Sequence, residues 1–392
     1  MIPAGASTLI APQTANRPDA GAIAPEDARF MRAALAIGRR TRGLTWPNPA
    51  VGAVIVREID GQPVIVGRGA TAPSGRPHAE ILALRQAGDA AKGATAYVTL
   101  EPCAHWGRSG PCAVALAEHG VRRVVVGASD INPRVKDKGV EILRAAGVEV
   151  VMGVLARECH DAHIGHFRRF AERRPQVQLK LAISRDGFIG RREGSQIHIT
   201  GPEIQRFVHV MRAEADGILV GLGTVLNDDP DLTCRLEGME DRSPIRFVLD
   251  STARLPLGSN LVRTAREVPV KLITTPAAPI ERTSALMAAG VEIITVAEDE
   301  HGRVQVPAAL GALAHRGITR LMVEGGGATA GSFVAAGLVD EAYLSFGPVD
   351  IGEGGVPPLG PVPLETLTKD PHFELRDQCV LGQDRLIHLW RP

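Results

Sequence analysis

The 392-residue chain lacks net charge, its 44 basic residues being matched by 44 acidic ones. Without a basic excess there is no electrostatic footprint for a nucleic acid or an anionic membrane surface. Long apolar runs are missing too, none reaching the ~18 residues that a membrane-spanning helix needs. The first two dozen residues are rich in Ala and Pro and have neither the basic start nor the apolar stretch of a signal peptide. Residues 1–24 are therefore expected to be a disordered tail. Cysteines number five, an odd count that makes a poor disulfide framework. Cys159, Cys234 and Cys379 read as free thiols of a reducing cytoplasm. A soluble protein with a small-molecule substrate is expected, and the length, beyond what one core usually serves, calls for two domains.

What the chain does contain is His78-Ala79-Glu80, followed by Pro102-Cys103 and then Cys112. One neutral imidazole and two thiolates balance a zinc dication and leave a fourth tetrahedral position for water, whose pKa such a site brings down to about 7. Glu80, two residues from the ligand His78, is placed to take the water proton and pass it to a ring nitrogen and a departing amine. A lone His-Ala-Glu is more often a chance helix start, but joined to Glu101-Pro102-Cys103 and a second cysteine it is specific. The zinc deaminases carry this arrangement. Local structure suits it: Ala96 to Leu100 has strand composition and stops at Glu101-Pro102, while Pro77 precedes an amphipathic helix with His78 and Glu80 in its first turn.

Eight residues separate Cys103 from Cys112, where nucleobase deaminases have Cys-x-x-Cys. The run Thr99-Leu100-Glu101-Pro102-Cys103, continuing through His105, Gly107, Arg108 and Pro111 to Cys112, resembles the bifunctional riboflavin-biosynthesis deaminase/reductase family. Trp46-Pro47-Asn48-Pro49-Ala50-Val51-Gly52 is similar to that family's substrate-binding segment, with Asn48 implied to contact the pyrimidine. Asp130-Ile131-Asn132-Pro133 matches a family turn, although Asp137 stands where the family usually has Gly.

Helix and strand patterns alternate from Pro25, so residues 25–154 are expected to form an α/β zinc deaminase domain. Residues 155–175 read as a charged connector, one helix from Leu155 to Arg174, holding His160, His163 and His166 at spacings of three. Three histidines on one helical face raise a second metal site, yet no carboxylate or thiol cluster completes a ligand set, so a solvated or interdomain face is expected. From residue 176 to 392 a second domain follows. Val177 to Ile183 alternates as a strand, Thr200 is expected to cap a helix with Pro202 in its first turn, and Gly221-Leu222-Gly223 follows the strand Ile218 to Val220. No third Gly and no long helix follow, which argues against a Rossmann fingerprint.

This half resembles the reductase part of the same family through Lys180-Leu181-Ala182, Asp186-Gly187, Ile199-Thr200, Arg212-Ala213, Gly223-Thr224-Val225, Asp228-Asp229-Pro230, Leu232-Thr233-x-Arg235 and Glu324-Gly325-Gly326-Gly327. The resemblance implies a cytidine-deaminase-like α/β/α domain followed by a dihydrofolate-reductase-like α/β domain, one zinc ion, NADPH, and assembly as a dimer or tetramer. It implies cofactor contacts at Ala182, His198, Thr224, Asp228, Gly326 and Gly327, and substrate contacts at Arg212, Leu232, Arg235 and Glu324. Arginine suits a phosphate because its guanidinium grips it through paired hydrogen bonds. Lys180 is a candidate for polarising or protonating a sugar imine. His198 replaces a cofactor-stacking Trp of many relatives and Phe188 a common basic residue, which implies weaker NADPH affinity. The implied activity is hydrolytic deamination of 2,5-diamino-6-(5-phosphoribosylamino)pyrimidin-4(3H)-one, then reduction of its ribosyl chain to the ribityl product. The alternative is a zinc nucleobase deaminase with a non-catalytic nucleotide-binding C-terminal module.

Overall fold

The structure, a computed structural model, describes residues 24–106, 110–133, 135–191 and 197–392. The expected tail up to residue 23 and positions 107–109 between the two cysteines lie outside these residues. Val- and Ile-rich segments form two sheets, one for each half of the chain. In the first, β1 (Gly52–Ile59), β2 (Gln62–Ala70), β3 (Thr95–Leu100), β4 (Arg123–Ala128) and β5 (Glu149–Met152) lie in the order β2-β1-β3-β4-β5. β1 is antiparallel to both neighbours, whereas β3, β4 and β5 run parallel.

Four helices cover this sheet: α1 (Pro25–Arg39), α2 (Ala79–Ala87), α3 (Cys112–Glu118) and α4 (Lys138–Ala145). Phe30, Met31 and Ala34 of α1 are buried with the Val and Ile of β1 and β4 in one core, which satisfies the apolar periodicity of both elements. Gly52 is required by close approach, since a Cβ there would stand 1.9 Å from the Ala34 carbonyl oxygen.

The connector is two helices rather than one. α5 (Ala156–Ala162) and α6 (Ile164–Ala171) meet at His163, whose φ of −110° and ψ of 12° leave the α region. The histidines therefore do not share one face: His160 is exposed, whereas His163 and His166 are buried at 3% and 6%.

The second sheet has nine strands: β6 (Gln176–Ile183), β7 (Gly217–Gly221), β8 (Ile245–Leu249), β9 (Val270–Thr274), β10 (Glu292–Thr295), β11 (Arg320–Val323), β12 (Glu341–Phe346), β13 (Glu374–Leu381) and β14 (Asp384–Trp390). Their order is β10-β9-β8-β7-β11-β6-β12-β14-β13, parallel from β10 to β12 and antiparallel at the β14 and β13 edge. α7 (Pro202–Glu214) starts at an N-cap Gly201 that makes no side-chain bond, so Thr200 is not the cap and its carbonyl instead accepts from Gln205. Asp384 takes over the capping task by accepting the Gly201 N–H at 2.7 Å. α8 (Leu222–Asp228) follows β7 directly. Glu214, at the end of α7, pairs with Arg39 and Arg42 beyond α1, and thereby joins the two halves. No helix among the described residues is long and apolar enough to cross a membrane.

Candidate active sites

β3 ends at Leu100 and delivers Glu101-Pro102-Cys103 to the edge of the first sheet. Two helix starts meet it there: His78 is the N-cap of α2 and Cys112 the first residue of α3. Their ligating atoms and that of Cys103 all lie within 4.8 Å of one another. His78 Nδ1 is 3.5 Å from the Cys103 sulfur and 3.4 Å from that of Cys112. The Cys112 N–H points at the Cys103 sulfur at 3.3 Å, and both helix N-termini favour negative charge at this spot.

The hydrogen bond from Cys112 holds Cys103 down at about 4, with help from His78, while Cys112 is pushed up because it donates to Cys103. His78 is raised by its bond to Cys103. Glu80, fully enclosed in the first turn of α2, is pushed up to about 7 by burial and then by the Cys103 charge. One nitrogen and two sulfurs converging from separate elements, beside a carboxylate that needs a proton or a cation, fit a zinc ion with Glu80 left unligated.

Asn48 lies close by but is engaged: its side-chain N–H donates to the Gly75 carbonyl at 2.9 Å, which fixes the loop leading into His78. Glu101 is a residue that motif reading left without a role. Its Oε2 accepts the N–H groups of Asp130 and Asp137 at 3.3 and 3.2 Å, and so ties the Cys103 loop to the 130–137 turn and the start of α4. Asp137 sits at φ 65°, in the left-handed region that favours Gly and that Asp tolerates better than most residues.

The second site lies at the carboxyl ends of the parallel strands. Arg212 of α7 and Glu324 after β11 form a two-pronged pair, Nε to Oε1 and Nη2 to Oε2 both at 2.8 Å, and Arg212 also donates to the Thr233 carbonyl. Three of the five guanidinium donors are thus used, leaving two for a ligand. Burial opposes the Glu324 charge, but Arg212 and then Lys180 outweigh it and hold the carboxyl below its ordinary range. Lys180 on β6 is lowered by burial, with Glu324 acting against that. Arg235 is exposed, 3.4 Å from Asp231 and from the Thr233 hydroxyl, and its N–H meets His209 of α7 at 3.3 Å. His209, which motif reading missed, thereby joins this cluster. Leu232 is buried at 3% in the core, with its backbone at φ 56°.

Thr224 of α8 accepts the Gly326 N–H at 3.0 Å, at the N-cap of the helix Gly327–Ala335. Gly327 also serves packing, since a Cβ would meet the Pro357 carbonyl at 2.3 Å. Beside these residues opens a cavity of about 640 Å³, lined by Gly223, Ser251, Arg254, Arg303 and Thr329 among others. Cations and hydroxyls around a helix start in a cavity of that size fit a dinucleotide. Ser251 and Arg254 were legible in principle, because strand carboxyl ends are where such sheets bind ligands. Ala182 is half-buried on β6, two residues from Lys180, whereas His198 and Asp228 are exposed outside the cavity lining. Phe188 packs its ring against Gly355.

Comparison with known proteins matches both halves of the chain. Residues 24–128 match the cytidine and deoxycytidylate deaminase zinc-binding region, and residues 175–387 match the RibD C-terminal domain. Riboflavin biosynthesis protein RibD of Aquifex aeolicus is 38% identical, over 93% of this chain and 98% of its own length. That of Escherichia coli is 36% identical, over 93% and 99%. Among solved structures, Acinetobacter baumannii RibD superposes with a TM-score of 0.81 at 34% identity, covering 94% of this chain and 99% of that one. The Thermotoga maritima diaminohydroxyphosphoribosylaminopyrimidine deaminase/5-amino-6-(5-phosphoribosylamino)uracil reductase gives 0.79 at 30% identity, covering 93% and 99%. With both catalytic halves matched along nearly its whole length, the chain belongs to the RibD family of riboflavin-biosynthesis deaminase/reductases.

Proposed function

We propose that residues 25–154 form the deaminase unit, 155–175 the connector and 176–392 the reductase unit of this bifunctional riboflavin-pathway enzyme, and that the residues above carry its two steps in turn. His78, Cys103 and Cys112 hold zinc, which when bound supplies a water acidic enough to attack at neutral pH. Glu80 would take one proton from the attacking water and pass it to the ring nitrogen of 2,5-diamino-6-(5-phosphoribosylamino)pyrimidin-4(3H)-one, and then carry the water's second proton to the amine, which leaves as ammonia. Its carboxyl, pushed up to about 7 first by burial, is suited to such shuttling. Asn48 borders the pyrimidine.

In the reductase unit NADPH, when bound, supplies the hydride that converts the ribosyl chain to ribityl. Arg212, Arg235 and the Leu232 backbone hold the phosphorylated substrate, Glu324 orients it, and Lys180 protonates the opened sugar imine. Thr224, Gly326 and Gly327 present the cofactor cradle, with Ala182, His198 and Asp228 at its margins. The observation that carries the reading is the convergence of His78, Cys103 and Cys112 within 4.8 Å beside buried Glu80. A reducing cytoplasmic setting suits five free thiols. Assembly as a homo-oligomer is supported by the edge strand β13, which exposes Leu375 and Val380 at 60% and 70%.

The test is direct: zinc-loaded protein is incubated with the diaminopyrimidine and NADPH while ammonia and nicotinamide absorbance are followed. Ammonia together with NADPH oxidation is expected. Ammonia alone would remove the reductase step, and no ammonia would remove the deaminase assignment.

A further inference from the structure

α6 is wedged between the two halves of the chain, and two buried histidines, His163 at its N-cap and His166 in its first turn, reach toward the carboxyl ends of β3 and β4 respectively. His163 Nε2 lies 3.0 Å from the hydroxyl of Thr99, the residue before Leu100 at the end of β3. That hydroxyl also accepts the Gly52 N–H at 3.1 Å. His166 Nε2 lies 3.0 Å from Asp130 Oδ1, and because a carboxylate can only accept, the ring donates. Asp130 is the residue whose N–H is bound by Glu101, two positions before Cys103. The Nδ1 atoms of both rings are buried without a partner among the described residues, so a single bond orients each imidazole.

The opposite side of α6 is fastened to the reductase half. A Cβ on Gly165 would stand 2.4 Å from the Thr319 carbonyl, so the helix backbone lies directly on the segment leading into β11. Arg168 pairs with Asp340 ahead of β12 at 3.3 Å. Arg169 donates both to Ala314 and to Pro47, the neighbour of Asn48. The helix therefore transmits the position of one unit to the loops of the other through two short chains of bonds, His163 to Thr99 and His166 through Asp130 to Glu101.

Building on the deaminase function assigned above, we infer that His166 is a positioning residue of that site: its bond to Asp130 sets the 130–137 turn and, through Glu101, the loop that presents Cys103. The imidazole touches none of the three zinc ligands and performs no chemistry. Its effect is confined to how firmly Cys103 is held, with His163 supporting the strand end behind it.

The experiment uses the full chain loaded to one zinc per chain, comparing the parent with His166→Leu and His166→Gln. Leucine keeps volume and removes the donor, whereas the glutamine amide can still donate to Asp130. With Leu, kcat for ammonia release is expected to fall about tenfold with KM within about twofold, and zinc to escape into a chelator about tenfold faster, in the range seen when outer partners of metal ligands are removed. With Gln, both quantities should return to within about threefold of the parent. NADPH oxidation on the deaminated substrate should be unchanged in both. Parent-like ammonia release and zinc retention with Leu would overturn the inference, as would equal damage from Leu and Gln or an equal fall in the reductase, which marks a merely structural role. A parent that releases no ammonia would instead defeat the deaminase assignment itself.

Discussion

Two enclosed glutamates, one in each half of the molecule, are pushed in opposite directions. Glu80 rises to about 7 because burial and the Cys103 thiolate both oppose its charge, whereas Glu324, equally deprived of water, falls because Arg212 grips both its oxygens. The deaminase site is electrostatically incomplete on its own: three ligand atoms and a carboxylate share too few cations. The reductase site is paired before any ligand arrives. A site built for a metal dication can leave its charges unbalanced, but a site that takes a phosphate must keep its arginine oriented meanwhile, and an internal carboxylate does so.

The largest effect that tests this contrast is removal of zinc by a chelator. Ammonia release should drop by more than ~10³-fold while NADPH oxidation on the deaminated substrate stays at the parent rate. Parallel loss of both would show that the halves do not differ in this respect. Glu80→Gln comes next, with zinc retained and kcat for ammonia lowered by about 10²–10⁴-fold; ammonia at the parent rate would take Glu80 out of its role. On the other side of the comparison, Glu324→Ala strands the buried Arg212 guanidinium, and denaturant titration should show a loss of roughly 3 kcal/mol. Ammonia release per folded molecule should be untouched.

Smaller changes sharpen the picture. Arg235 is exposed and tied only by 3.4 Å contacts, so Arg235→Ala should cost little stability and raise KM of the reductase substrate about tenfold, equivalent to ~1.4 kcal/mol. The smallest expected signal is a pH dependence. Because the Glu324 pKa is lowered on folding, its stabilising contribution is present above the ordinary value of 4.5 and is lost as pH falls through the lowered value. The Tm gap between parent and Glu324→Gln should therefore narrow by ~2 °C toward acid. A gap that stays constant from pH 6 to pH 3 would mean that Arg212 does not stabilise the ionised form.

How much of this was legible beforehand differs between the two sites for the same reason that their electrostatics differ. The deaminase residues lie within a stretch from His78 to Cys112, and each has a chemical identity that allows few other uses. The reductase cluster draws Lys180 from β6, His209 and Arg212 from α7, and Arg235 and Glu324 from loops, segments far apart in the chain, and resemblance gathered all of them but His209. His209 carries no motif signal, and Glu101, although part of the motif, showed no role until its bonds to Asp130 and Asp137 were seen. Thr200 looked like a cap by residue type, yet Asp384, from the far end of the chain, supplied the bond instead. The Leu155 to Arg174 segment had helical composition throughout, but burial of His163 and His166 against β3 and Asp130 broke it in two.

By itself the sequence determined the ligand types, the carboxylate beside them and the alternation of strands and helices in each half. These follow from local chemistry and periodicity, which survive in any single stretch of chain. Only the tertiary structure decided that Arg212 and Glu324 hold each other, that the Leu232 side chain is buried in the core, and that the connector histidines reach Thr99 and Asp130. Those outcomes depend on which distant groups share a buried volume, where an unpaired charge or polar atom is costly enough to dictate its partner.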